Sequence, residues 1–412
     1  MRTRTSVQMV AVLAAAAVTL IGPATAATAA PPAASPSSGP VVATQSTGAP
    51  GAVVSSEPLP AELWLAGSGD AYRMTYLTTG PRGVTPSTGM VFVPKGSAPA
   101  GGWPVIAWAH GTVGDSDFDA PSRTGVDPET RDFVASWLGR GYAIAATDYI
   151  GLGTPGVPPY LDGTAAAHAV IDSVRAARAI EPDLSRRWAV VGLSEGGQAA
   201  VFTGHLATAY APELDFRGTV ANGVPSNIET LVPLAGPWFP PGGLFKGLTN
   251  FMTFVFAGVR DVHPELDVDS YLTPIGRKLV DAAPVLPYNE FKKLSANVSV
   301  AQMLSKSLNN PQVLAVLRSY LQVPVSGYDR PLFIAQGLTD QVVPIPLTLK
   351  LIADMNATGT HPTFRIYPGD HIGSMFQAEN DEAAFVAGLF GGGAPGPSGS
   401  LGSAGTGSTG TR

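Results

Sequence analysis

The chain of 412 residues contains no cysteine. That excludes disulfides, thiolate metal sites and a cysteine nucleophile, so the compartment must be read from other signals. Charge is scarce: 14% of residues are Asp, Glu, Lys or Arg, and the net charge is −6. An acidic chain with no basic run beyond its first residues carries no nucleic-acid footprint, and nothing that draws it to an anionic membrane surface. Histidine is also rare. The six residues are scattered, with no H-E-x-x-H or comparable spacing, so neither a metal site nor a cofactor is expected.

What is present begins at the N-terminus. Arg2 and Arg4 precede an apolar, alanine-rich run from Val7 to Ile21, and Ala24-Thr25-Ala26 and Ala27-Thr28-Ala29 follow as small-residue cleavage sites. This predicts a secretory signal peptide over residues 1–29; the apolar run is short of the roughly 20 residues a bilayer span needs. Its removal takes two positive charges and no negative ones, leaving a net charge of −8. Residues 30–56 are rich in Ala, Pro, Ser, Thr and Gly and are expected to be a disordered leader; residues 391–412, rich in Gly, Ser and Thr, are expected to be a disordered tail. The folded part is then 57–390.

Within it, apolar strand-like runs alternate with helix-like ones. Pro104–Ala109, Tyr142–Thr147, Trp188–Val191, Phe216–Ala221, Pro331–Ala335 and Thr363–Tyr367 read as strands, while Gly163–Ile180 and Ile345–Met355 read as helices. Such alternation predicts an α/β fold, a mostly parallel sheet covered on both faces by helices. Function in such sheets sits beyond the carboxyl ends of the strands. His110, Asp148, Ser194, Asp340 and His371 all fall at such ends.

The most telling stretch is Gly192-Leu193-Ser194-Glu195-Gly196-Gly197, between a strand-like run and a helix-like run, Gln198–Tyr210. Strand, sharp turn and helix are the context a G-x-S-x-G nucleophile elbow requires. Glycine is abundant here, so the alternative is a tight turn without chemistry, and the rest of the chain has to decide. A serine nucleophile needs a base, and the base an acid to orient it. His371, in Tyr367-Pro-Gly-Asp-His-Ile-Gly373, follows the last strand. His361 lies at the wrong end of that strand, His110 and His168 precede the serine, His205 sits on the following helix, and His263 is beside Pro264. Asp340 follows the preceding strand in a Gly-containing turn. Asp370 is the competing acid but is adjacent to His371, and neighbours in a loop rarely face one another. The oxyanion needs two or more donors: the backbone N–H of Glu195 is the first, and the second is sought in the loop His110-Gly111-Thr112 or at Asp148, whose carboxyl donates only if protonated.

Gly-Leu-Ser194-Glu-Gly-Gly-Gln resembles the elbow of the secretory lipase family of α/β-hydrolases, fungal and actinobacterial. So do Thr147-Asp-Tyr-Ile-Gly-Leu-Gly-Thr-Pro-Gly156, Val174-Arg175-Ala-Ala-Arg178, Gln336-Gly-Leu-Thr-Asp340 and Pro368-Gly-Asp-His371. The resemblance spans residues 57–390. It implies an α/β-hydrolase with a mainly helical cap, and a secreted lipase or esterase with Ser194, Asp340 and His371 as its triad and Asp148 and Glu195 at the oxyanion. Fungal members are similar in using disulfides, which this chain lacks. The cap is expected at about 226–328, a separation too long for a simple loop. Its aromatic cluster offers Trp238, Phe239, Phe245 and Phe251 as substrate-binding candidates, against the alternative that they form the cap's own core. A lipid-like ester is the expected substrate, with transient contact at lipid interfaces; no pattern sets an oligomeric state. An acyltransferase or serine peptidase on the same fold, or a binding protein without catalysis, are the competing classes.

Overall fold

A computed structural model describes residues 48–240 and 247–391. The expected signal peptide, the tail from 392 onward and Phe245 lie outside the described residues. The apolar runs become strands of one sheet: β1 (Val53–Pro58), β2 (Ser68–Gly80), β3 (Gly83–Pro94), β4 (Trp103–Ala109), β5 (Ala143–Ile150), β6 (Leu184–Leu193), β7 (Asp215–Asn222), β8 (Leu332–Gly337) and β9 (Thr363–Tyr367). Their order is β1-β2-β3-β5-β4-β6-β7-β8-β9. The first three strands join antiparallel, and from β5 to β9 every neighbouring pair is parallel.

The helices are α1 (Pro121–Thr124), α2 (Arg131–Gly139), α3 (Gly163–Ile180), α4 (Glu195–Tyr210), α5 (Leu248–Val262), α6 (Pro274–Ala282), α7 (Tyr288–Ser295), α8 (Val300–Met303), α9 (Pro311–Leu321), α10 (Ile345–Ala357) and α11 (Gly373–Gly391). Alanine-rich α3 shows why such segments are helical. Alanine has the best intrinsic propensity, and Asp162 caps the N-terminus by accepting from the N–H of Thr164 and Ala165, both at 3.1 Å.

Alternation along each strand sends side chains to two cores. Val105, Ala107 and Ala109 face α3 and α4, while Ile106 and Trp108 face α2 and α11. The central parallel strands are therefore buried on both sides, which is why they read as continuous apolar runs, while β9 at the sheet edge is partly exposed. Between β7 and β8 the chain leaves the sheet to build α5–α9, a helical cap with a core of its own that includes Phe254, Phe256, Leu279 and Phe291. Tyr160 and Leu161, from the segment after β5, complete that core.

Two boundaries differ from expectation. The leader was expected to extend to residue 56, but Val53–Pro58 forms β1. Its side chains are largely exposed, so it is the unpaired backbone edge of β2 that recruits it. An Arg73–Glu57 ion pair at 2.9 Å reinforces the pairing. The last helix begins at Gly373 and ends at Gly391, the first residue of the expected tail.

Candidate active site

Sterics build the site from the elbow outward. Ser194, between β6 and α4, has φ 59° and ψ −122°, a strained conformation for a residue with a Cβ. Its N–H donates to the Asn222 carbonyl at 2.8 Å, and its carbonyl accepts from the N–H of Gln198 at 3.0 Å. A Cβ on Gly196 would overlap the carbonyl oxygen of Ala109, so only glycine lets α4 start this close to β4. The motif spacing thus has a local mechanical cause.

The other two candidates come from the loops after β8 and β9. Asp340 has a fully buried side chain; His371 is 11% exposed. The Nδ1–H of His371 donates to Asp340 Oδ2 at 2.7 Å. Oδ2 also accepts from Gln336 Nε2 at 3.0 Å, and Oδ1 accepts from the N–H of Val342 and Val343, each at 2.8 Å. Four donors hold the carboxylate, and the carboxylate holds the imidazole tautomer. The imidazole ring packs against Gly223, where a Cβ would come within 2.8 Å of Cε1. His371 Nε2 is buried and makes no hydrogen bond among the described residues, which leaves its lone pair free. Ser194 and His371 open onto one cavity of about 670 Å³.

That cavity decides among the other expected residues. Thr112 and Phe251 line it. Asp148 does not. Its carboxyl is fully buried and accepts on both oxygens, from the Ser122 N–H at 2.9 Å and the Thr88 hydroxyl at 2.7 Å. Burial pushes Asp148 upward and those donors oppose the shift. Asp148, one of the two candidates for the second oxyanion donor, is thus tied to Ser122 and Thr88 outside the cavity lining. Its neighbour Tyr149, at φ 67°, donates its hydroxyl to the His110 carbonyl at 3.0 Å and packs its ring 4.5 Å from that of His110. The stretch from Asp148 thus supports the loop after β4. Within this loop, His110 Nδ1–H donates to the Gly111 carbonyl at 2.6 Å, and burial lowers the pKa of His110. Trp238 and Phe239 do not reach the cavity either: Trp238 is 65% exposed on the cap, and Phe239 is buried in the cap core.

The lining also includes residues the sequence did not single out, among them Val113, Glu129, Tyr288, Val342 and Ile372. Buried acids near the site were equally unforeseen. Glu195 is 8% exposed, and desolvation pushes its carboxyl up to about 8 against the opposing influence of the Thr112 hydroxyl. Asp115, in the loop after β4, is 1% exposed and raised well above the usual carboxylate range, chiefly by burial.

An elbow serine after a central strand, with an aspartate-held histidine after two later strands, places the protein among the α/β-hydrolases. The chain belongs to the secretory lipase family, whose pattern it matches over residues 126–365, and it is accordingly a carboxylic-ester hydrolase. It is 24% identical over 347 residues to lipase A of Moesziomyces aphidis, covering 78% of this chain and 72% of that protein. It is 26% identical over 281 residues to a trichothecene C-3 esterase of Fusarium sporotrichioides, covering 65% and 60%. Among solved structures, lipase A of Candida antarctica superposes with a TM-score of 0.70 at 21% identity, covering 85% of this chain and 84% of that one. The rice cell wall degrading esterase LipA of Xanthomonas oryzae superposes with a TM-score of 0.65 at 17% identity, covering 83% and 99%.

Proposed function

We propose that Ser194, His371 and Asp340 form the catalytic triad of a secreted lipase or esterase acting on lipid-like esters. The single observation that carries this is the pairing of His371 Nδ1–H with Asp340, which leaves Nε2 free on the cavity that Ser194 also lines. Nε2 takes the Ser194 hydroxyl proton as the oxygen attacks the acyl carbon. The carbonyl oxygen gains the negative charge, and the N–H of Glu195 with a backbone N–H of the loop after β4 receives it. His371 then returns the proton to the departing alcohol, leaving an acyl-enzyme. A water molecule, deprotonated by the same nitrogen, releases the acid and restores the hydroxyl. Asp340 keeps the tautomer and stabilises the imidazolium.

The apolar lining from Val113, Leu193, Phe251 and Ile372 supports an acyl group of low polarity. The expected signal peptide supports export from the cell. Leu234 and Trp238, exposed on the cap, support transient contact with lipid interfaces. The decisive experiment is hydrolysis of a p-nitrophenyl ester series, acetyl to palmitoyl, by the mature protein and by Ser194→Ala. Serine-dependent turnover that extends to long chains is expected. Activity that survives Ser194→Ala would remove the serine from the mechanism. Serine labelling without ester hydrolysis would favour acyl transfer or peptide cleavage, and absence of both would favour a binding role.

A further inference from the structure

Asp340 has a task in that reaction, and something must aim it. Its Oδ1 is tied to the backbone of its own turn, at Val342 and Val343. Two bonds to one oxygen leave the other free to swing, and it is the other, Oδ2, that meets the Nδ1–H of His371. The second donor to Oδ2 is Gln336 Nε2. Gln336 is fully buried and ends an otherwise apolar run on β8, Leu332-Phe-Ile-Ala335. A buried amide is costly unless both of its ends are paired. Its nitrogen faces Asp340 Oδ2 and the Val343 carbonyl, each at 3.0 Å, and the Gly337 carbonyl at 3.3 Å. A carboxylate and two carbonyls only accept, so the NH2 end must lie on this side. The amide oxygen, on the far side, accepts from the Thr348 hydroxyl of α10 at 2.7 Å. Thr348 is fully buried too. A threonine within a helix can return its hydroxyl to the carbonyl one turn back; here it goes to Gln336.

We propose that Gln336 and Thr348 are positioning residues for the triad: the Thr348 hydroxyl sets the orientation of the Gln336 amide, and the amide holds Asp340 Oδ2 where it seats the His371 ring. This rests on Ser194, His371 and Asp340 being the catalytic groups. A neutral amide suits the place. It holds the oxygen by a hydrogen bond, yet leaves the negative charge that stabilises the imidazolium, which a Lys or Arg there would offset. Without the Thr348 hydroxyl, Oε1 is left unpaired and the amide is free to turn its oxygen toward the carboxylate. The imidazole then loses its fixed seat, and the cost falls on the proton transfer, which needs a set line between Ser194 and Nε2. Neither Gln336 nor Thr348 lines the cavity, so substrate binding is not touched directly.

The test measures kcat and KM for p-nitrophenyl butyrate with the mature protein, active enzyme being counted by a fluorophosphonate label. Thr348→Val keeps the shape and removes the hydroxyl; it is expected to lower kcat by about 5-fold or more with KM within about two-fold. Thr348→Ser returns the hydroxyl and is expected to recover most of that loss. Gln336→Leu removes the amide, and a loss of about 10-fold or more in kcat is expected. Proton NMR gives the second readout, through the far-downfield resonance of the His371 Nδ1–H, assigned by its disappearance in His371→Ala. That resonance is expected to shift or broaden in Thr348→Val and Gln336→Leu and to return in Thr348→Ser. Parental kcat in Thr348→Val overturns the proposal, and this variant carries the test if Gln336→Leu does not fold. A lowered kcat with the imidazole resonance unmoved also overturns it, because the loss would then be one of packing. Failure of the fluorophosphonate to label Ser194 in the parent, or undiminished turnover in His371→Ala, would instead refute the triad itself.

Discussion

Glu382 on α11 is fully buried, and neither carboxyl oxygen makes a full hydrogen bond among the described residues. Desolvation pushes it up to about 8, opposed by the Asn222 side chain, while the charges of Glu379 and Asp381 add to the rise. Because its folded pKa exceeds the unfolded one, the protein is stabilised by protonated Glu382 below about pH 4.5. That contribution is lost progressively as pH rises towards about 8 and is gone above it. A shift from 4.5 to about 8 corresponds to a ceiling of about 5 kcal/mol at roughly 1.4 kcal/mol per unit. Glu382→Gln keeps the shape and cannot ionise. Asn222 Oδ1, buried and without a hydrogen-bond partner, is available to accept from the new amide. Urea unfolding of parent and variant between about pH 5 and about pH 9 is the assay. The two are expected to lie within about 1 kcal/mol of each other at the acid end, with the variant more stable by several kcal/mol at the alkaline end. A difference in stability that does not change with pH would refute the reasoning, because the effect would then be one of packing and not of charge.

Two further outcomes follow from the geometry. Gly196→Ala drives a methyl group into the Ala109 carbonyl, so loss of about 3 kcal/mol or more and of all ester hydrolysis is expected; a variant with parental unfolding and activity would show that the elbow yields. Leu234→Ala with Trp238→Ala removes exposed apolar surface from the cap, so weaker adsorption to a triacylglycerol emulsion is expected, with turnover of soluble p-nitrophenyl butyrate within about two-fold; unchanged adsorption would place the lipid-contacting surface elsewhere.

The elements that could be read from the sequence are those whose constraint is local. A side chain at Gly196 or Gly197 would meet another strand's backbone and one at Gly192 the carbonyl of Gly196, and that constraint leaves a mark at fixed spacing. Gly163–Ile180 was legible because alanine and an aspartate cap act within one helix. Asp148 was not, since the groups that occupy its oxygens come from 60 and 26 residues away in the chain. The cap aromatics divide for a similar reason. Phe251 lines the cavity, while Phe254, one turn further along α5, lies in the cap core. No periodicity organises the Pro- and Gly-rich run before α5, so Trp238 and Phe239 could not be assigned a face. β1 was missed because its pairing, and not its own pattern, makes it a strand. For Glu195 a signal did exist: an acid set between Ser194 and two glycines at the start of an apolar helix.

The cap interrupts the sheet between β7 and β8, so the serine lies on one side of it along the chain and both Asp340 and His371 on the other. With the proposed triad, a chain folded only as far as β7 has its elbow formed and no base. β8 docks against β7 only after the whole cap has been closed out as a loop, at an entropic cost on the order of 4 kcal/mol. Bond-breaking power is thereby reserved for the finished molecule. Hydrolysis rates during refolding would count completed chains, lagging behind any probe that watches Trp188 enter the central sheet.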